Sequence, residues 1–267
     1  MFTQPLITEI PTLGPATIPT PIRKRADRIE SISFVPDDSR IVIEVNKTRI
    51  DEIIRAENAL PCFELAGPKN RIFFDPSKLK CALVTCGGLC PGINDIIRSI
   101  VLELHYAYGV RNIFGIRYGL QGFIAQYGHD LVDLTPEAVV NIHDRGGTVL
   151  GSSRGPQDID EIIDSLERMN IGLLFMIGGD GTLTAAGRIA DAILERKLKI
   201  GVVGVPKTID NDIYMVSRSF GFDTAVDVAT KAIISANNEA EGYPNGIGGR
   251  DILFEAKILA AADRELG

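Results

Sequence analysis

Two acidic loops, Gly178-Gly-Asp-Gly-Thr182 and Thr208-Ile-Asp-Asn-Asp212, each close an apolar run, and a helical pattern joins the first to the second run. The periodicity predicts strands over 172–177 and 200–205 and a helix over 183–198. That is a βαβ unit, and it forces a parallel strand pair with a crossover helix. Few architectures accept such a unit, because a parallel sheet has to be covered on both faces. Loops at the carboxyl ends of its strands are where open α/β sheets bind ligands, so the carboxylates of both loops are expected at one site.

The pattern from Lys80 onward repeats this alternation. Strands are expected over 81–85, 112–116 and 148–150, and helices over 93–106, 136–143 and 158–169. The fold class expected is α/β, a doubly wound, mainly parallel sheet. Before it, residues 1–79 read as an appended region. Pro5, Pro11, Pro15, Pro19 and Pro21 block regular structure in a leader that ends in the basic cluster Arg23-Lys24-Arg25, and a strand over 40–45, a helix over 50–57 and a short strand over 72–74 follow. The domain expected over 80–246 is followed by a tail, 247–267, with apolar residues at helical spacing.

The 45% hydrophobic content allows a large core, and the net charge of −7 with a pI near 5.1 argues against nucleic acid or a membrane surface as partner. No apolar run reaches the length of a membrane span, and no secretory pattern opens the chain, so a soluble cytoplasmic protein is the expectation. Cys62, Cys81, Cys86 and Cys90 lack zinc-site spacing and have no neighbouring histidine, and they are expected as reduced, partly buried thiols.

Three strand-to-helix turns are glycine-rich: Gly87 to Gly92, Gly151 to Gly155 with Arg154, and Gly178 to Thr182. Such turns bring backbone N–H groups to phosphate oxygens at a positive helix end. Asp180 lies between glycines, free to reach magnesium, which favours carboxylate oxygen shared with phosphates and water; the alternative is an N-cap. Asp210 and Asp212 stand at alternate positions and would share one side of an extended segment. One could take a hydroxyl proton while the other orients it, and an Asx turn is the structural alternative. Lys207 is the local cation for a transferring phosphate, or else a solvated lysine. Phosphoryl transfer is the chemistry these groups suit.

At these residues the chain resembles the phosphofructokinases over about 80–246. The resemblance rests on Gly87-Gly-Leu-Cys-Pro-Gly-Ile-Asn94, Gly178-Gly-Asp-Gly-Thr182, Pro206-Lys-Thr-Ile-Asp-Asn-Asp212 and Gly221-Phe-Asp-Thr-Ala225. It implies the glycolytic phosphorylation of the 1-hydroxyl of fructose 6-phosphate, with magnesium and ATP or, in some branches, pyrophosphate. By matched position Gly88, Arg154, Gly155, Gly179, Asp180, Gly181 and Thr182 would hold the nucleotide, and Asp180 the metal. Thr208, Ile209 and Asp210 would contact the sugar phosphate, with Asp210 as base and Lys207 and Asp212 beside the transferring group. Gly181 favours ATP, since pyrophosphate enzymes carry an aspartate there, whereas Lys207 is shared with them. The combination resembles the plant, trypanosomatid and some bacterial ATP enzymes. A homo-oligomer, dimer or tetramer, is implied as well.

The resemblance stops near residue 246. The family's methionine-glycine-arginine motif is not matched, although Arg250 could imitate its arginine, and the second lobe is missing. Two readings stand: an ATP-dependent phosphofructokinase, and a catalytically incomplete or regulatory nucleotide-binding protein. A pyrophosphate enzyme and an NAD kinase are weaker alternatives, opposed by Gly181 and by Thr208 to Asp212 respectively.

Overall fold

The computed structural model describes residues 8–22, 33–57 and 60–244. Arg23 to Arg25, Arg250 and the tail 247–267 lie outside them. The chain divides into two compact units, 1–78 with 107–109 and 79–106 with 110–267.

The smaller unit holds two antiparallel ladders, β1 (Ile18–Pro19) with β4 (Arg71–Ile72) and β2 (Arg40–Val42) with β3 (Cys62–Glu64), and the helix α1 (Lys47–Glu57). The register sets Arg40 opposite Glu64 and Ile41 opposite Phe63, favourable cross-strand pairs.

The larger unit is built on a five-stranded sheet in the order β7-β6-β5-β8-β9. Its strands are β5 (Lys80–Thr85), β6 (Asn112–Ile116), β7 (Val132–Asp133), β8 (Leu173–Gly178) and β9 (Gly201–Pro206). All pairings are parallel except β6 with β7. The helices are α2 (Ile93–Leu102), α3 (Ile159–Arg168), α4 (Asp180–Glu195) and α5 (Phe222–Glu241). From β5 the chain crosses to β6 on one side, and β8 and β9 lie on the other, so the strand order reverses between β5 and β8. Right-handed crossovers in opposite directions place α2 and α4 on opposite faces. The burial agrees: Ala82 and Val84 of β5 share a core with Ile162 and Ile163 of α3 and Ile189 and Ile193 of α4, a cluster that α2 does not enter. The sheet is doubly wound, as the alternation implied.

Two expected elements do not form. Residues 136–143 make turns ending in a 3-10 turn, Ile142–Asp144, with stretched bonds such as Val140 N–H to the Glu137 carbonyl at 3.5 Å. A stretch this short gains too few hydrogen bonds to offset helix nucleation. Nor is 148–150 a strand, because side chains claim its backbone. The Asn94 amide donates to the Arg145 carbonyl and accepts from Val149 N–H, both at 2.9 Å, and Thr148 Oγ1 accepts from Leu150 N–H. Helix α2 also ends earlier than expected and passes into a π turn, Glu103–Ala107.

Gly115 of β6 leaves room that Leu150 fills; a Cβ there would meet the Leu150 side chain and sit 3.4 Å from Leu134. Gly115→Ala is therefore expected to destabilise the fold by about 1–3 kcal/mol through overpacking, read as a lowered denaturation midpoint at unchanged slope.

Candidate active site

Every donor and acceptor residue expected from the sequence, apart from Arg250, lines one cavity of about 690 Å³. The cavity lies outside the carboxyl ends of β5, β8 and β9, and so straddles the reversal between β5 and β8, the position at which open α/β sheets bind ligands.

The β8 loop enters α4 directly. Gly179 is its N-cap residue without a side-chain cap, and Asp180 is the first helical residue, exposed on the cavity wall. The N-cap alternative for Asp180 is thereby excluded. The buried Thr182 side chain occupies the space above Gly178, where a Cβ would collide with it, so the turn needs glycine at 178. Gly181 is different, since a Cβ there would meet nothing within 4 Å.

From the β5 turn, Gly87 N–H donates to the Ser153 carbonyl at 3.2 Å and Ser152 Oγ donates to the Gly87 carbonyl at 2.7 Å, which joins the first and second glycine turns. The Arg154 guanidinium passes over Gly88, 3.5 Å from the position a Cβ would take. Lys207 is buried, 3% exposed, and its Nζ donates to the Gly88 carbonyl. It is not a solvated lysine.

The β9 loop departs from the extended geometry expected of it. Asn211 has φ +51°, a left-handed conformation that asparagine tolerates, and this breaks the alternation between Asp210 and Asp212. Thr208 Oγ1 donates to Asp212 Oδ1 at 3.0 Å and accepts from Asp210 N–H at 3.1 Å. Asp212 thus holds the threonine, while the Asp210 carboxylate has no hydrogen-bond partner among the described residues and faces the cavity. Ile209 is 44% exposed beside it. Sequence reading missed Arg188, which lines the same cavity from α4. Its signal was the spacing: two helical turns beyond Asp180, it shares that residue's face.

Cys86 lies in the cavity wall, and Cys81 is buried near the amino-terminal end of β5. Burial pushes both thiols up to about 12, and for Cys86 a hydrogen bond with the Leu120 backbone and, after it, the Lys207 charge oppose this. An unfolded thiol ionises near about 8.5, so these two contribute full stability below that pH and lose it as pH rises from there toward 12. The loss is expected to reach about 1 kcal/mol per thiol per pH unit, seen as a denaturation midpoint that falls above pH 9 and falls less in Cys81→Ala.

A doubly wound sheet with glycine turns, two acidic loops and a cavity at its order reversal defines the open α/β class of protein that takes its ligand at the carboxyl ends of the strands. The phosphofructokinase family model matches residues 80–247, and the chain belongs to that family. It is 46% identical over 241 residues to an ATP-dependent 6-phosphofructokinase of Borreliella burgdorferi, covering 88% of this chain and 53% of that one. To ATP-dependent 6-phosphofructokinase 7 of Arabidopsis thaliana it is 48% identical over 186 residues, 70% of this chain and 38% of the other. A Trypanosoma cruzi ATP-dependent 6-phosphofructokinase is 45% identical over 207 residues, 76% of this chain and 43% of the other. The plant and trypanosomatid relatives agree with the branch implied by Gly181 and Lys207. Among solved structures, a pyrophosphate-dependent phosphofructokinase of Marinobacter aquaeolei shares the fold, with a TM-score of 0.56 at 20% identity over 61% of this chain and 42% of that one. The chain spans about half the length, or less, of these relatives.

Proposed function

We propose that the chain transfers the terminal phosphoryl group of ATP to the 1-hydroxyl of fructose 6-phosphate, giving fructose 1,6-bisphosphate and ADP. The observation that carries this reading is the opening of the Gly179–Thr182 and Lys207–Asp212 segments into one cavity. Phosphoryl transfer depends on positioning and charge neutralisation more than on covalent chemistry. Gly88, Arg154, Gly155 and Gly179 to Thr182 hold the donor, and Thr208, Ile209 and Asp210 meet the acceptor. Asp210 takes the hydroxyl proton, and Lys207 offsets charge on the transferring group. The names of the three relatives at 45–48% identity, each ATP-dependent, support ATP as donor; the pyrophosphate-dependent neighbour, at 20% identity, shares the fold alone.

Among the described residues no cluster of three His, Cys, Asp or Glu side chains could cage a metal. Magnesium bound with a nucleotide takes one or two carboxylates together with phosphate oxygens and water, which suits Asp180 as the protein ligand. When bound, it neutralises charge on the donor phosphates.

A homo-oligomer in the cytoplasm belongs to the same reading. Among the described residues no helix is long and apolar enough to cross a membrane. Chloroplastic relatives in Arabidopsis make a plastid the competing compartment.

The test is formation of fructose 1,6-bisphosphate by the purified chain with magnesium and ATP, with pyrophosphate as the parallel donor. Turnover with ATP alone is expected. Mg-ATP binding without turnover from either donor would favour a second reading, a donor-binding chain that needs another lobe or subunit to grip the sugar phosphate. The observation behind that alternative is the half-length match to relatives.

A further inference from the structure

The segment bearing Thr208, Asp210 and Asp212 closes on itself before α5 begins. Ser219 Oγ donates to the Thr208 carbonyl at 2.7 Å, Ser219 N–H donates to Asn211 Oδ1 at 2.8 Å, and Lys207 and Phe220 meet as a parallel bridge. A residue from the β5 turn reaches the base of this closed loop. Cys90 is 5% exposed, and its Sγ donates to the Phe220 carbonyl at 3.3 Å; within its own turn it also reaches the Pro91 carbonyl at 3.5 Å.

The approach is shaped from the other side as well. Gly221 has φ +95°, and a Cβ there would sit 2.7 Å from Cys90 Sγ and 2.6 Å from the Pro91 carbonyl oxygen. The glycine is required both by its backbone conformation and by the sulfur packed on it. A second link joins the same two segments, the Lys207 ammonium on the Gly88 carbonyl.

We propose that Cys90 is a positioning residue that pins the glycine turn 87–92 to the base of the loop 208–220, so that the segments facing donor and acceptor move as one body. The contact stands on the structure alone; calling the segments donor and acceptor rests on the function proposed above. The thiol works as a buried neutral donor, because desolvation raises its pKa and keeps the proton on sulfur. A cysteine that merely filled space would be replaceable by any small apolar residue.

Hydrogen exchange on the intact chain tests the pin with wild type, Cys90→Ala and Cys90→Ser. The alanine variant is expected to raise exchange across 208–220 on the order of tenfold while amides of β5 and β8 keep their rates. Serine keeps a donor in place and is expected to restore most of the protection. In turnover assays the alanine variant should raise the KM for fructose 6-phosphate about tenfold and leave that for ATP within about twofold. Unchanged exchange in 208–220, a rise shared equally by β5 and β8, or a serine variant no better than alanine would each overturn the pin. Absence of turnover in the wild type would count against the proposed reaction alone, since the exchange result does not depend on it.

Discussion

An Asp210→Ser variant is expected to lose phosphoryl transfer by about three orders of magnitude while binding Mg-ATP within about twofold of the parent. Asp210 is exposed in the cavity wall, and its carboxylate has no partner among the described residues, so its removal should cost the fold little. The bond between Thr208 and Asp212 remains to shape the loop. The donor contacts proposed above come from other segments, which is why affinity for ATP should survive. Coupled turnover and calorimetric titration measured side by side decide the matter. A parallel collapse of ATP affinity would remove Asp210 from the role of base and place it in the donor site.

The second large effect is expected from Gly181→Asp. A Cβ at 181 meets nothing within 4 Å, so the variant should fold and melt as the parent does. Its cost is therefore electrostatic. A carboxylate placed one residue beyond Asp180, at the start of α4, would line the cavity proposed to hold the donor phosphates. Against a triphosphate this repulsion is worth about 2–3 kcal/mol, or on the order of a hundredfold in affinity. Titration with ATP and with pyrophosphate should show the ATP loss to be much the larger. Equal losses for both donors, or none, would sink the idea that the residue at 181 selects between them.

The strands and helices around the site were legible in the sequence because each is bounded by apolar periodicity and a glycine turn. Strand β6 falls on 112–116 as expected, and β5, β8 and β9 within a residue or so. The 136–143 stretch failed as a helix because it is short, and the remaining failures arise because periodicity is blind to side chains bonding the backbone. Asn94, distant in sequence, takes up the polar groups of 145–149. Asn211 turns left-handed and folds the acidic loop back on itself, which an alternation rule does not anticipate. The burial of Lys207 was equally hidden, because its partner is a carbonyl in a turn 119 residues earlier. Helix α5 was read only through the motif at its start; just one of its residues, Asn237, is buried, so there was little core-facing pattern to find.

The register between β8 and β9 sets Gly178 opposite Pro206, and both site loops leave from that level. This divides the unit into an end that can tolerate changes in chain length and an end that cannot. Residues 197–199 turn at the far end of the strands, where an added or lost residue leaves the spacing of the two loops untouched. One residue inserted within 173–178 would carry Asp180 a strand step of about 3.3 Å relative to Asp210, well beyond the roughly 0.5 Å that a reacting geometry tolerates. Insertions and deletions accumulating in this lineage should therefore crowd onto the amino-terminal edge of the sheet, leaving the carboxyl edge of constant length.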